Sequence, residues 1–156
     1  MQIESPVIAV LGAGSWGTGL ALQLDRSGSR CLLWDRDTEN LLRIRKERAN
    51  ERYLPGIQIP ESIFIETDIH AAVRAADHVL LVTPSHAFAA VISSILPDLS
   101  PGQGIAWACK GFEPGSGRLL HQVAVLHHRQ GDAENIDLLE GVGPLQRAGH
   151  LARDRH

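Results

Sequence analysis

Cysteine is scarce in this chain, and its scarcity excludes several kinds of site. Only two cysteines, Cys31 and Cys109, occur among the 156 residues, and each falls inside a predicted strand or at its end. Thiols in such places are typical of small buried hydrophobic side chains rather than of a disulfide framework or a metal site. We therefore expect no bound metal, and the free thiols fit a reducing cytoplasm.

Long runs of basic or apolar residues are also missing. The net charge is −3 and no run of five or more basic residues occurs, so nucleic acid is not an expected partner. No stretch approaches the ~18 consecutive apolar residues of a membrane span. The first residues lead into a strand without the basic and apolar regions of a secretory signal. The length indicates one domain that can bury a single core.

Glycines at a particular spacing are what the chain does contain. The apolar segment 7–11 runs directly into Gly12, Gly14 and Gly17, which gives the pattern G-x-G-x-x-G. In a dinucleotide-binding turn the first glycine permits the turn, the second lets the backbone approach a pyrophosphate, and the third lets the helix pack on the sheet. The helix N-terminus then favours the anion. A tight turn without any ligand is the alternative that the spacing alone leaves open.

Two charged residues follow the second predicted strand, residues 30–35. Asp35 stands about 20 residues beyond the glycines, where a carboxylate can accept hydrogen bonds from the ribose hydroxyls of NAD. Arg36 beside it can pair with the 2′-phosphate of NADP. An ordinary turn carboxylate and a solvated charge pair are the alternatives. NAD and NADP therefore both stay open.

Strands and helices alternate along the rest of the sequence. Further strands are predicted at residues 63–65, 78–82 and 105–108, with a weak candidate at 136–139. Helices are predicted after the glycines up to Gly28, from an N-cap at Thr38 to about residue 49, and at 69–75, 87–96 and 118–127, with a turn at 52–56. This order predicts an α/β fold, a doubly wound parallel sheet of Rossmann type in a single domain, whose ligands bind beyond the carboxyl ends of the strands.

Four other polar residues are candidates for a functional role. Lys110, after the fifth strand, could offer a point charge to a phosphate, or be a solvated lysine. His86, after the fourth strand, could carry a proton, but we favour a cap of the following helix or another local hydrogen bond. The neighbours His127 and His128 point in different directions on a helix and lack a third ligand, so we discount a metal there.

Five motifs occur in a characteristic order. They are G-A-G-S-W-G-T at 12–18, L-W-D-R-D at 33–37, R-Y-L-P-G at 52–56, V-T-P-S-H at 82–86 and W-A-C-K-G-F-E at 107–113. In this order and spacing the chain resembles the bacterial NAD(P)-dependent glycerol-3-phosphate dehydrogenases. The resemblance runs from about residue 7 to residue 123 and covers the N-terminal cofactor domain of that family.

The resemblance implies a cofactor, NAD or NADP, and a small phosphorylated substrate. The reaction implied is reversible hydride transfer between NAD(P)H and dihydroxyacetone phosphate, giving sn-glycerol 3-phosphate for glycerophospholipid biosynthesis. Lys110 would contact both the nicotinamide side and the substrate phosphate, and Gly143 the substrate. Together with the glycine motif, the resemblance gives as cofactor-binding residues Gly12, Gly14, Ser15, Trp16, Gly17, Asp35, Arg36, Tyr53 and Lys110.

The sequence departs from this family near its end. Gly143 and Pro144 fit the start of the family's G-P-(S/T)-F-A motif, but residues 145–150 do not continue it. We expect the helical C-terminal domain, which holds the family's catalytic lysine, to be missing, and we therefore expect no catalytic residue here. We expect a dinucleotide-binding domain at 1–144, a disordered tail at 145–156, and a reading-frame break or truncation after Pro144. Self-association through uncovered apolar surface is also expected.

Two other functions stay open at this point. One is a non-catalytic module that binds NAD(P) in the same crevice. The other is a dehydrogenase of another hydroxy acid or phosphorylated substrate, because related oxidoreductases share this first domain.

Overall fold

The computed structural model describes residues 4–109 and 111–130. In chain order the elements are β1 (Val7–Leu11), α1 (Ser15–Arg26), β2 (Arg30–Trp34), α2 (Thr38–Glu47), β3 (Ala49–Asn50), β4 (Leu54–Gln58), β5 (Ile63–Ile65), α3 (Ile69–Ala75), β6 (His78–Leu81), α4 (Ser85–Ile95), a 3₁₀ turn (Leu96–Asp98), β7 (Gly104–Trp107) and α5 (Leu120–Gln130). Strands and helices thus alternate as the sequence predicts, except that β3, β4 and β5 follow one another without a helix between them.

Five strands form one parallel sheet in the order β5-β2-β1-β6-β7. The chain starts in the middle of this sheet, moves outward through β2 and β5, and returns to the other side of β1 for β6 and β7. Right-handed crossovers in opposite directions place the connecting helices on opposite faces. The predicted doubly wound fold is confirmed. Its order reverses beside β1, so the carboxyl ends of β1 and β6 form the switch point.

The core lies on both sides of the central strands. Ala9, Val10 and Leu11 of β1 are fully buried, which explains why this strand is a continuous apolar run rather than an alternating one. Across the sheet, the ring of Phe88 on α4 meets Trp107 of β7 edge to face, with centroids 5.7 Å apart. The resulting sheet is a rigid base for the loops at its carboxyl edge.

Helix α2 and its surroundings differ from the prediction. Asp37, and not Thr38, is the N-cap, because its carboxylate accepts the N–H of Asn40 at 3.0 Å. The helix ends at Glu47, since Arg48 takes a left-handed conformation (φ 52°). The guanidinium of Arg48 donates to the carbonyls of Ile59, Pro60 and Ile63, which holds the chain in this sharp change of direction.

The predicted turn at 52–56 belongs to a small antiparallel ribbon. Strands β3 and β4 pair with an irregular register, and the N–H of Tyr53 donates to the carbonyl of Asn50 at 3.2 Å between them. Helix α4 begins two residues earlier than predicted, and α5 two residues later. The β3–β4 ribbon was not predicted, because its strands are too short to show a hydrophobic periodicity.

Several predictions fall on residues that the structure does not describe. These are the strand candidate at 136–139, the domain end and frame break near Pro144, the tail 145–156, and the substrate contacts Lys110 and Gly143. Within residues 4–109 and 111–130, no helix combines the length and the apolar content needed to cross a bilayer.

Candidate functional site

A cleft of about 480 Å³ opens at the carboxyl edge of the sheet. Its walls come from the turn after β1, the residues after β2, the β3–β4 ribbon, and the loops after β6 and β7. Every described residue that was predicted to bind the cofactor lines this cleft: Gly12, Gly14, Ser15, Trp16, Gly17, Asp35, Arg36 and Tyr53. A larger, more open groove of about 750 Å³ lies at the amino ends of the strands, where doubly wound sheets do not bind their ligands.

The three motif glycines are required for different reasons. A Cβ on Gly12 would lie 2.6 Å from the carbonyl oxygen of Val82, and Gly12 also has a φ of +126°. A Cβ on Gly17 would lie 1.8 Å from the carbonyl oxygen of Gly12. Gly12 and Gly17 are therefore required by the packing of the protein itself, as in a tight turn that leads directly into a helix.

Gly14 is different, because the protein leaves space beside it. A Cβ built on Gly14 meets no protein atom within 4 Å, and its backbone (φ −72°, ψ −173°) suits any residue. Gly14 also lines the cleft. The packing of the protein does not require glycine at this position. A glycine here is instead consistent with a ligand that approaches the backbone closely.

The N-terminus of α1 points at this same space. Gly14 is the N-cap of this helix, no side chain caps it, and its first turn contains no acidic residue. The N–H groups at the start of α1 and the positive end of its dipole are therefore not neutralised by a carboxylate of the helix itself. This arrangement is suited to an anion such as a pyrophosphate.

Asp35 makes one contact that fits the turn-carboxylate alternative and one that the sequence did not predict. Its Oδ2 accepts the N–H of Ala13 at 2.6 Å, and its Oδ1 accepts the N–H of Asp37 at 2.9 Å. The carboxylate thus holds the glycine turn against the end of β2. Its recognition of ribose hydroxyls stays a prediction, and any such contact would be additional to these two.

Arg36 is an exposed cation at one end of the cleft. Within the described residues its guanidinium has no hydrogen bond or ion pair. The next carboxylate, Asp37, is already paired with Arg52 at 2.8 Å. The Arg52 guanidinium also lies 5.1 Å from the ring centroid of Tyr53, so Tyr53 is held beside the cleft while Arg36 is available to an added anion.

Two exposed aromatic rings face this cleft. Trp16 is 58% exposed and Tyr53 41% exposed, which is unusual for side chains of this size. Both belong to the motifs that carry the family resemblance. Flat apolar surfaces beside a phosphate site are suited to the rings of a nucleotide.

Three buried polar side chains support the glycine turn and were missed by the sequence analysis. Asn50 is 1% exposed, Thr18 is 1% exposed and Asn40 is 3% exposed. The amide Nδ2 of Asn50 donates to the carbonyl of Ala13 at 2.8 Å and to Oγ1 of Thr18 at 2.9 Å. Thr18 belongs to the motif at 12–18, but Asn40 and Asn50 are distant from the turn in sequence and no short motif connects them to it.

The remaining candidate side chains are one histidine and the two cysteines. His86 is exposed in the first turn of α4, whose N-cap is Pro84 without a side-chain cap, so the predicted cap by His86 is wrong. Cys31 is buried and Cys109 partly buried, and both are free. Burial raises the pKa of the Cys109 thiol, which donates to the carbonyl of Leu81 at 3.5 Å. No cluster of three metal-ligating side chains occurs in the described part of the chain.

Comparison with known proteins matches this geometry to one family. The profile of the NAD-dependent glycerol-3-phosphate dehydrogenase N-terminus matches residues 7–142. A glycerol-3-phosphate dehydrogenase [NAD(P)+] of Stenotrophomonas maltophilia (strain R551-3) is 47% identical over 92% of this chain and 41% of its own length. The corresponding protein of Xanthomonas euvesicatoria pv. vesicatoria is 55% identical over 75% of this chain and 34% of its own length.

A solved structure agrees with these sequences. The crystal structure of glycerol-3-phosphate dehydrogenase from Coxiella burnetii is similar with a TM-score of 0.75 and 40% identity, over 79% of this chain and 38% of that one. The chain therefore spans well under half the length of the relatives it matches. The match of the profile to most of its residues shows that the chain belongs to the NAD-dependent glycerol-3-phosphate dehydrogenase family, in which it corresponds to the N-terminal region.

Proposed function

We propose that this chain is the cofactor-binding part of an oxidoreductase that interconverts dihydroxyacetone phosphate and sn-glycerol 3-phosphate with NAD(P)H, in glycerophospholipid biosynthesis. The open space beside Gly14 carries the proposal. Gly12 and Gly17 would be required in an empty turn, whereas Gly14 has no protein atom to avoid. Its place at the uncapped start of α1 supports close approach of a pyrophosphate to the backbone.

Different residues of the cleft would bind different parts of a dinucleotide. The backbone at Gly14 and Ser15 receives the pyrophosphate, and Trp16 and Tyr53 offer flat surfaces to its rings. Arg36, which follows the second strand, would face the adenosine ribose of such a cofactor. A nicotinamide dinucleotide, when bound, supplies or accepts the hydride, and the protein's part is to orient it and exclude water.

The substrate side is proposed from the resemblance. Lys110 and Gly143 would contact the substrate phosphate, and both lie outside the described residues. The lysine that the family resemblance assigns to catalysis belongs to the relatives' C-terminal domain, beyond the length matched here. We therefore expect the chain by itself to bind the cofactor without rapid turnover.

A specific observation keeps the non-catalytic module as a second candidate. The described lining of the cleft contains no histidine or lysine. Asp35 is engaged by two backbone N–H groups, and burial raises the pKa of Cys109. None of these groups is suited to carry the proton of the alcohol. Turnover with dihydroxyacetone phosphate and NADPH would contradict the non-catalytic module, and turnover of other hydroxy acids only would favour a different dehydrogenase.

The choice between NAD and NADP is the sharpest test of the site. In calorimetric titrations, the chain should bind NADH and NADPH. Because Arg36 is unpaired in the described structure, Arg36→Ala should weaken NADPH about 10- to 150-fold, which corresponds to about 1.5–3 kcal/mol for hydrogen bonds to a charged group, and leave NADH nearly unchanged.

A matched control is available on α2. Arg43 is exposed, has no partner among the described residues and does not line the cleft. Arg43→Ala removes the same charge and should change neither affinity by more than about twofold. Failure of the native chain to bind either dinucleotide would contradict the proposed function. Equal losses for both cofactors in Arg36→Ala would contradict the role of Arg36 at the 2′-phosphate.

Compartment and association are further parts of the proposal. The free cysteines support a reducing, cytoplasmic location. Self-association is supported by large exposed apolar side chains, among them Phe64 at 54% and Phe112 at 59%. Light scattering across a range of protein concentrations tests this expectation, and a constant monomer mass would contradict it.

A further inference from the structure

A single buried amide connects the walls of the cleft. Asn50 ends β3, and its Nδ2 donates to the carbonyl of Ala13 in the glycine turn at 2.8 Å and to Oγ1 of Thr18 on α1 at 2.9 Å. Both contacts cross more than thirty residues of sequence, with separations of 37 and 32. Asn50 therefore fixes the β3–β4 ribbon to the turn and to the helix that follows it.

The other groups of Asn50 contact Tyr53 and Asn40. Its backbone carbonyl accepts the N–H of Tyr53 at 3.2 Å, and Tyr53 lines the cleft. Its Oδ1 accepts the Nδ2 of Asn40 on α2 at 3.4 Å. Both donors of the amide and one acceptor site of its Oδ1 are thus used, and its orientation is fixed from both ends.

The contact with Ala13 determines how the turn presents its backbone. Ala13 is fully buried between Gly12 and Gly14, and Asp35 accepts its N–H while Asn50 donates to its carbonyl. The carbonyl of Ala13 and the N–H of Gly14 belong to one planar trans peptide, because the described chain has no cis bond. They must point in opposite directions. Holding the carbonyl toward Asn50 therefore turns the Gly14 N–H away from Asn50.

We propose that Asn50 is a positioning residue for dinucleotide binding, which acts by fixing the Ala13–Gly14 peptide; this inference rests on the proposed function. Asn50 does not line the cleft and needs no contact with the cofactor. Its effect falls on the pyrophosphate end, which NADH and NADPH share. Loss of the Asn50 amide should therefore weaken both cofactors equally, unlike the loss of Arg36.

The chain offers a matched control at the far end of the sheet. Gln103 immediately precedes β7 and is 5% exposed. Its Nε2 donates to the carbonyls of Val73 and Ala76, both at 2.7 Å, and its Oε1 accepts the N–H of Ser100 at 2.9 Å. Like Asn50, it is a buried amide that bridges two acceptors, but it is remote from the glycine turn.

The experiment compares Asn50→Asp with Gln103→Glu, because each replaces a donating amide by a carboxylate of the same shape. Hydrogen exchange on the 156-residue chain without cofactor and calorimetric titration with NADH and NADPH are measured for both. Asn50→Asp should speed exchange in residues 12–18 and raise both dissociation constants about tenfold. Gln103→Glu should speed exchange before β7, with dissociation constants within about twofold of the native values.

Asn50→Ser is included in case the aspartate variant does not fold, since it keeps one shorter donor and should show the same effects to a smaller extent. Native exchange at residues 12–18 together with unchanged dissociation constants in a folded Asn50 variant would overturn the proposal. A selective loss of NADPH in that variant would do the same. If the native chain bound neither cofactor, the proposed function would fail, while the exchange data would still decide whether Asn50 holds the turn.

Discussion

Alanine at position 14 should leave the stability of the domain almost unchanged and weaken the cofactor. The built Cβ meets no protein atom within 4 Å, and a φ of −72° suits any residue. Removing a glycine from the unfolded chain stabilises the fold by about 0.4–1 kcal/mol. Alanine is a poorer N-cap than glycine by a similar amount, about 0.5–1 kcal/mol. These terms oppose each other, so the free energy of unfolding should change by less than about 0.5 kcal/mol.

The other motif glycines should behave in the opposite way. Gly17→Ala would place a Cβ 1.8 Å from the carbonyl oxygen of Gly12, and Gly12→Ala would place one 2.6 Å from that of Val82. Both collisions are with backbone, which has no side-chain rotamer to relieve them. We expect each variant to lose more than about 3 kcal/mol, the range of severe core overpacking.

Gly19→Ala is the control for these substitutions. Gly19 lies within α1, its built Cβ also meets nothing within 4 Å, and it does not line the cleft. Alanine there should stabilise the helix by about 0.5–1 kcal/mol with no effect on cofactor affinity.

Urea unfolding measures the stability of each variant, and calorimetry measures binding of NADH and NADPH. Gly14→Val should abolish binding of both cofactors with the fold retained, because its branched side chain fills more of the space for the pyrophosphate. Native affinity in Gly14→Val would refute the assignment of the cleft. A loss of more than about 2 kcal/mol of stability in Gly14→Ala would refute the argument that the space is open.

Three further predictions test the surroundings of the site. The hydrogen bond with His70, and after it the one with Arg74, lowers the pKa of Asp98. Asp98→Asn should therefore lower the free energy of unfolding by a fraction of a kcal/mol at neutral pH. In urea titrations this difference should shrink as the pH falls through that lowered pKa, and a constant difference would contradict the prediction. Burial raises the pKa of Cys31 to about 11, so iodoacetamide at pH ~8 should label it far more slowly in the folded chain than in urea, as mass spectrometry would show. Asp35→Asn should weaken NADH and NADPH alike by loosening Ala13, whereas a loss confined to NADH would indicate ribose recognition.

The sequence predicted the sheet well because its signals are local and strong. A buried strand ending in G-x-G-x-x-G fixes the first turn, and alternation of short apolar strands with helices leaves few topologies that obey right-handed crossover. The error at Thr38 was also local. Asp37 immediately precedes Thr38, and the carboxylate of Asp37 accepts the N–H of Asn40. Two adjacent residues with good capping side chains cannot be ranked by propensity alone.

The supporting residues of the site could not be predicted, because their partners are distant in sequence. Asn50 shows no periodicity or motif, yet it contacts Ala13 across 37 residues. Gln103 similarly reaches Val73 across 30 residues. Such contacts depend on where the fold brings backbone carbonyls together, and polar residues between elements usually indicate only a loop.

Asp35 shows how one residue pattern can serve a different physical role. A carboxylate after the second strand is taken as a sign of NAD because its charge repels a 2′-phosphate. Here its two oxygens accept the N–H groups of Ala13 and Asp37, and the side chain of Asp37 is paired with Arg52. Backbone dipoles and a cation therefore offset both carboxylates that flank Arg36, which keeps a free guanidinium among the described residues. We therefore expect the D-R-D segment to oppose a 2′-phosphate less than its two carboxylates suggest, and we expect the chain to bind both NADH and NADPH.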